Sequence, residues 1–146
     1  MKKLAMMLLS LIMVLTLTGC ESKKDEKPFT AADLEKALAE GKTVTLEEYV
    51  QASNDAMADQ MGAIEAQGME LFLTAEGNNF VYNFKFIDAE LEAAATKESL
   101  DIGMESTSSI YKGVLEQTKV AIPDAEAVVI KYLDSKGNEI ASYEFK

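Results

Sequence analysis

Phe80-Val81-Tyr82-Asn83-Phe84-Lys85-Phe86 puts an aromatic ring at every second position. Alternate residues of a β-strand point to opposite faces, so four rings in this register demand a strand with one face pressed against a large apolar surface. On a helix the same rings would fall on both sides of the cylinder and could not be buried together. Just upstream, Met69, Leu71, Leu73 and Ala75 alternate with Glu70, Phe72 and Thr74, and Glu76-Gly77-Asn78-Asn79 supplies turn residues between the two runs. The pair predicts a β-hairpin. A second hairpin closes the chain, with strands at Ala127 to Leu133 and Glu139 to Phe145 around the turn Asp134-Ser135-Lys136-Gly137-Asn138.

The apolar partner for these strands comes from helices. Thr30 is placed to cap a first one, with Phe29 and Leu34 at staple positions and Gly41 as its stop. Thr45 and Glu48 form a capping-box pattern, flanked by Val44 and Tyr49. Leu46, Tyr49, Val50, Met57, Met61 and Ile64 then recur at helical spacing up to a stop at Gly68. From Asp88 to about Lys119, Ala93, Leu100, Met104, Thr107, Tyr111, Val114 and Thr118 form a buried stripe opposite an acid-rich face. Gly103 weakens the middle of this helix, which leaves a bend or two shorter helices open. Pro123 marks its end. The expected fold is α+β: a two-layer sandwich with a four-stranded antiparallel sheet, built of two hairpins, packed on one long helix beside one or two N-terminal helices. Both halves read as helix then hairpin, with a Gly-Asn turn and a Tyr-x-Phe strand in each, a weak sign of duplication because hairpins converge on those residues.

The chain begins Met1-Lys2-Lys3, followed by fifteen uncharged residues from Leu4 to Thr18. These are the n-region and h-region of a secretory signal, and the apolar run is shorter than the roughly 20 residues a membrane-spanning helix needs. Leu17-Thr18-Gly19-Cys20 resembles the lipobox of bacterial lipoproteins. The resemblance implies a diacylglycerol on the Cys20 sulfur and cleavage between Gly19 and Cys20. Two acyl chains meet the requirement for stable anchoring, at about 0.8 kcal/mol per buried CH₂. Cys20 is the one cysteine of the 146 residues, so no intramolecular disulfide can form. Domain organisation follows: signal peptide 1–19, lipidated cysteine and charged tether 20–28, and a single domain 29–146. The eight residues from Glu21 to Pro28 reach about 26 Å at most, which holds the domain near the extracytoplasmic face of the cell membrane.

Loss of Lys2 and Lys3 with the signal takes the net charge from −11 to −13. All the basic residues are lysines; there is no His, Arg or Trp. The commonest general base and transition-metal ligand is therefore missing, as is the bidentate clamp for phosphate. Nucleic acid is excluded as a partner, because such binding rests on neutralising phosphates. Membrane lipid enters through the Cys20 anchor, and an envelope protein or cationic peptide is the partner class the charge favours.

Candidate chemistry is weighed against plainer roles. Ser109 and Lys112 lie one helical turn apart, as a Ser–Lys dyad would, but such exposed polar pairs are routine. Glu47 and Glu48 are adjacent carboxylates, yet they sit in a first helical turn, where acids suit the macrodipole. Glu90, Glu98, Asp101 and Glu105 suit a solvated helix face. The run from Asp134 to Glu139 lacks the alternating acids of a calcium loop and carries Lys136 in its middle, which favours a hairpin turn. Met57 and Met61 fit a core stripe better than a copper site. Of Tyr49, Tyr82, Tyr111, Tyr132 and Tyr143, all but Tyr132 fit a core-facing register. No catalytic, cofactor-binding or metal-ligating residue is assigned, and no cofactor is implied beyond the covalent diacylglycerol.

Thr45-Leu46-Glu47-Glu48-Tyr49-Val50, the run from Gly77 to Phe84, and Val129-Ile130-Lys131-Tyr132-Leu133-Asp134 with Gly137 resemble a family of small Gram-positive lipoproteins that carry a domain of unknown function. The resemblance spans roughly residues 43–146, supports the anchor and the α+β fold, and brings no activity with it. The expected function is a non-enzymatic, membrane-anchored interaction module. Its competitors are a small carboxylate-dependent envelope hydrolase and an accessory subunit of a transport or signalling complex. Replacement of Cys20 by Ala is expected to abolish incorporation of radioactive palmitate and to leave an unprocessed precursor on a gel. Unchanged labelling would refute lipidation at Cys20.

Overall fold

The computed structural model describes residues 28–146. The expected signal, Gly19, Cys20 and the expected tether up to Lys27 lie outside the described residues. The chain runs α1 (Ala31–Ala39), α2 (Leu46–Ala56), α3 (Ala58–Glu65), β1 (Met69–Glu76), β2 (Asn79–Phe86), α4 (Ala89–Ala94), α5 (Lys97–Ala121), β3 (Ala127–Leu133) and β4 (Glu139–Phe145). The fold is α+β, with several helices and one four-stranded sheet in the order β1-β2-β3-β4.

Helix starts follow the local chemistry. Thr30 and Thr45 cap α1 and α2 through reciprocal capping boxes with Asp33 and Glu48. Asp88 caps α4, and Thr96 caps α5 by accepting from the Ser99 N–H. That last cap divides the helical region expected from Asp88 to Lys119. The break falls at Ala95 and Thr96, whereas Gly103 sits inside an uninterrupted α5. The apolar stripe from Leu46 to Ile64 is likewise two helices, parted at Met57, whose ψ of 3° leaves the helical basin. Gly68 ends this region at φ 91° and brings the chain close to Asp88; a Cβ on Gly68 would lie 2.6 Å from the Asp88 Cβ.

The sheet departs from the wholly antiparallel expectation. β1–β2 and β3–β4 are antiparallel hairpins, but β2 and β3 pair in parallel, Phe80 opposite Val128 and Tyr82 opposite Ile130. The connection explains it. A strand of eight residues spans about 26 Å and α5, with 25 residues, about 37 Å, so the helix carries the chain back past the whole length of β2. The next strand therefore starts from the same end as β2 and runs beside it in the same direction. A hairpin copied by translation along the sheet would have placed β3 antiparallel to β2, so the strand directions do not follow simple duplication.

One face of the sheet carries the main core. Leu71, Leu73, Phe80, Phe84, Phe86, Val128, Ile130, Tyr132, Ala141 and Phe145 are buried in one cluster with Leu46, Val50 and Ile64 from α2 and α3, and Leu100, Met104, Tyr111 and Leu115 from α5. Ala93 is exposed on α4 and Val114 only half-buried, while Leu115 takes the core position beside it. The buried Thr107 and Thr118 hydroxyls donate to the Gly103 and Val114 carbonyls one turn earlier, at 3.1 and 2.9 Å, so neither is stranded.

On the β1 edge, Asn54 of α2 acts as a strand surrogate. Its Nδ2 donates to the Leu73 carbonyl and its Oδ1 accepts from the Leu73 N–H, both at 3.1 Å. Asn54→Ala removes both bonds from partly buried backbone groups and is expected to cost about 1–3 kcal/mol. A lower urea midpoint with an unchanged m-value would show it; an unchanged midpoint would mean that water replaces the amide without loss.

Candidate functional site

Three regions gather polar or ionisable groups: the ring-lined space between α5 and the sheet, the opposite sheet face, and the exposed side of α5. The rings come first because their positions follow from strand register. Phe80, Tyr82, Phe84 and Phe86 alternate inward on β2, and the register sets Tyr132 against Phe84 and Tyr143 against Ile130. Tyr49 meets Phe80 at 5.3 Å between ring centroids, Phe80 meets Tyr82 at 5.1 Å, and Tyr82 meets Tyr111 of α5 at 6.0 Å. Tyr111 stacks on Phe145, and Tyr132 stacks on Phe84 and Phe86 and meets Tyr143 edge-on. Offset and edge-on contacts of this kind each add about 0.5–1.5 kcal/mol to the burial of the rings.

All five tyrosines therefore share one region. Tyr132 corrects the sequence expectation: it is core, 2% exposed, and its face was masked by the unbroken apolar run Val128-Val129-Ile130 before it. Burial pushes the Tyr82, Tyr111, Tyr132 and Tyr143 hydroxyls above the usual phenol value, because a phenolate there would lose its hydration. Tyr143 is further held neutral by donating to Asp101 Oδ1 at 2.7 Å. Hydrogen bonds from Lys97 and then from Tyr143 hold the Asp101 carboxyl below its ordinary range. Asp101 stays half-exposed, as expected of a solvated helix face, and also joins α5 to β4. Neutral phenols in such surroundings supply hydrogen-bond donors rather than nucleophiles; among the described residues the buried Tyr111 and Tyr132 hydroxyls have no partner.

The opposite sheet face carries no helix residue in its apolar cluster, which consists of Val81, Ala127 and Val129. Its polar groups are matched to one another. Lys131 on β3 reaches both Glu76 oxygens on β1 at 2.7 Å. Since Glu76 stands opposite Asn79 and Lys131 opposite Asn83, this pair crosses β2 over Val81, which is fully buried. Asn83 donates to the Phe72 carbonyl and to Thr74 Oγ1, and Lys85 lies 3.6 Å from Glu70. Sequence inspection missed the Lys131–Glu76 pair, for which there is no local signal: the partners are 55 residues apart.

The remaining candidates are not drawn together. Ser109 and Lys112 are both exposed on α5, as are Glu98 and Glu105, and Glu90 is exposed on α4. Glu47 is exposed at the start of α2, while Glu48 is engaged in the capping box. Met57 and Met61 pack on the main core. Asp134 accepts from the N–H groups of Lys136 and Asn138 and from the Asn138 amide, bonds that lower its pKa and close the hairpin turn. Cys20 and Gly19 lie outside the described residues. Among the described residues no group of three or more Cys, Asp or Glu side chains is arranged to hold a metal ion, and no helix is long and apolar enough to cross a membrane.

Comparison with known proteins returns one finding: residues 46–145 match the model of a family described as a domain of unknown function, DUF4854. Neither curated proteins nor solved structures give a match.

The tyrosines generate a pH prediction with a definite sign. Their folded-state values lie above the free value of 10.0, so above that pH the unfolded chain releases protons the folded chain keeps. The tyrosine contribution is fully present below about pH 10 and is lost as the pH rises further. Phenolate absorbance is expected to lag behind that of free tyrosine and then rise together with loss of the circular-dichroism signal. Free titration of Tyr82, Tyr111 and Tyr132 near pH 10 in a chain that stays folded would contradict the burial described above.

Proposed function

We propose that this chain, which belongs to the DUF4854 family, is a membrane-anchored extracytoplasmic lipoprotein whose domain works as a non-enzymatic interaction module. One observation carries the non-enzymatic part of the reading. The side chains with the most chemical promise in the sequence are occupied by structural tasks: Glu48 in a cap, Asp134 in a turn, Met57 and Met61 in the core, and Asp101 in a bond to Tyr143. Ser109 and Lys112 stand exposed on the helix rather than converging on a shared site.

The anchor rests on the sequence from Met1 to Cys20, above all on Leu17-Thr18-Gly19-Cys20 ahead of a short charged tether. In this reading the domain is a two-layer sandwich that keeps its helices on one side of the sheet. The composition of the two apolar clusters supports that arrangement, since the main one contains the helix residues and the smaller one only strand residues. The acidic surface, at a net charge of −13 after loss of Lys2 and Lys3, favours a cationic envelope protein or peptide and disfavours association with anionic polymers.

In-cell cross-linking of the full-length lipoprotein, followed by affinity capture and mass spectrometry, tests the module. A dominant envelope protein displaced by added lipid-free residues 22–146, with binding that weakens as salt rises, is the expected result. Capture that matches the background of an unrelated lipoprotein would overturn the proposal.

A further inference from the structure

The two edges of the sheet are unequal. On β1, Leu73 has both backbone groups bonded to Asn54, and the neighbouring α2 and α3 pack against the strand. That bond also fixes which way every backbone group in the sheet points. If Leu73 faces outward, then Glu70, Phe72 and Thr74 face β2, and Phe80, Tyr82 and Phe84 face β3. In the parallel pair the residues level with them, Val128, Ile130 and Tyr132, face β4, and Tyr143 and Phe145 face back. The N–H and C=O groups of Ser142 and Glu144 are left pointing out of the sheet. Among the described residues no side chain or backbone group bonds to them.

Exposed edges are usually blunted by proline, by lysine on the strand or by a covering element. β4 contains neither Pro nor Lys, and its register irregularity, at Tyr132 and Leu133, lies at its start. The other open surfaces are less suited to a partner. The bare sheet face has paired its lysines and buried Val81 and Asn83. Ile102 and Val120 are exposed on α5, but eighteen residues put them about 27 Å apart.

We propose that the outer edge of β4 is the docking edge of the module, taking an extended segment of a cationic partner as a fifth strand. This deepens the interaction-module reading and rests on it. Such a segment closes the four free backbone groups of Ser142 and Glu144. Its side chains alternate between the face of Ser142 and Glu144 and the face of Ala141 and Tyr143, so a pattern of basic and apolar residues in turn fits best. The Glu144–Lys146 pair, at 2.9 Å, is exposed and yields readily to an incoming lysine. A second copy of this chain carries the same net negative charge and is disfavoured on that ground. The edge is also reachable from an anchored domain. The chain enters at Phe29 and Ala31, whose N–H groups donate to Gln51 and Asp55 of α2, on the β1 side, and β4 is the strand farthest from β1.

The test uses the full chain in detergent micelles and an end-blocked peptide of alternating Lys and Val, seven residues long. Amide hydrogen exchange at Ser142 and Glu144 is expected to slow about ten-fold or more at saturating peptide. A Glu–Val peptide, or the Lys–Val peptide N-methylated on its bonding edge, is expected to leave those amides unchanged. Ser142→Pro removes an outward N–H without touching the native ladder and is expected to abolish peptide binding at an unaltered circular-dichroism spectrum. No slowing with the Lys–Val peptide, or equal slowing with the N-methylated form, overturns the proposal and needs no variant to fold. In cells, equal capture of the same partner by wild type and by Ser142→Pro overturns the edge while leaving the module reading in place.

Discussion

β2 buries residues on both of its faces, and much of the molecule is arranged around that requirement. Phe80, Phe84 and Phe86 are 1% exposed or less on the helix side, and Val81 and Asn83 are buried on the other. β2 also has a strand on each flank, which pairs its backbone groups on both sides. The flanks are β1 and β3. Residues of α2, α3 and α5 share one apolar cluster with the aromatic side, and the Lys131–Glu76 pair crosses over Val81. Asn83, the polar residue in this position, would be costly if unpaired; its bonds to the Phe72 carbonyl and the Thr74 hydroxyl instead tie β2 to β1. A slip of one residue would turn four aromatic rings outward, so register is strongly held.

The second organising element is α5, which does two things at once. Its stripe of Leu100, Met104, Thr107, Tyr111, Leu115 and Thr118 contributes to the cover of the aromatic face. Its length returns the chain to the starting end of β2, which makes β2 and β3 parallel. The two hairpins consequently lie with β1 and β4 at the edges, and those edges are treated differently. β1 receives the helices and the Asn54 amide; β4 receives α5 on its inner face, through the Tyr143–Asp101 bond and the Tyr111–Phe145 stack, and nothing on its outer edge among the described residues. Stability and accessibility are thus separated across the width of one small sheet.

Much of this was legible residue by residue, and the rest was not, for reasons of range. Thr30, Thr45 and Gly68 act on backbone groups within a turn of themselves, so the caps and the stop were readable from spacing. The alternation in β1 and β2 gave their inward faces. β3 offers no such pattern, because Ala127, Val128, Val129 and Ile130 are all buried, and alternation there does not show which side Tyr132 takes. Asp101 is half-exposed, as an acid of a solvated helix face should be, but nothing nearby in the chain announces its bond to a Tyr143 hydroxyl 42 residues away. The expected anchor residue Cys20 is a different case: the reading rests on a short linear motif, and the residue lies outside the described residues.

By itself, then, the sequence determined the number and kind of strands, the capped helix starts, the hairpin turns and the acidic charge. Each of these depends on groups within a few residues of one another or on composition alone. Tertiary structure decided the parallel pairing of β2 with β3, the burial of Tyr132 and the bonding of Asn54 to Leu73 on one sheet edge. Those outcomes depend on where a returning helix delivers the chain and on which distant groups then meet, and no local spacing encodes that path.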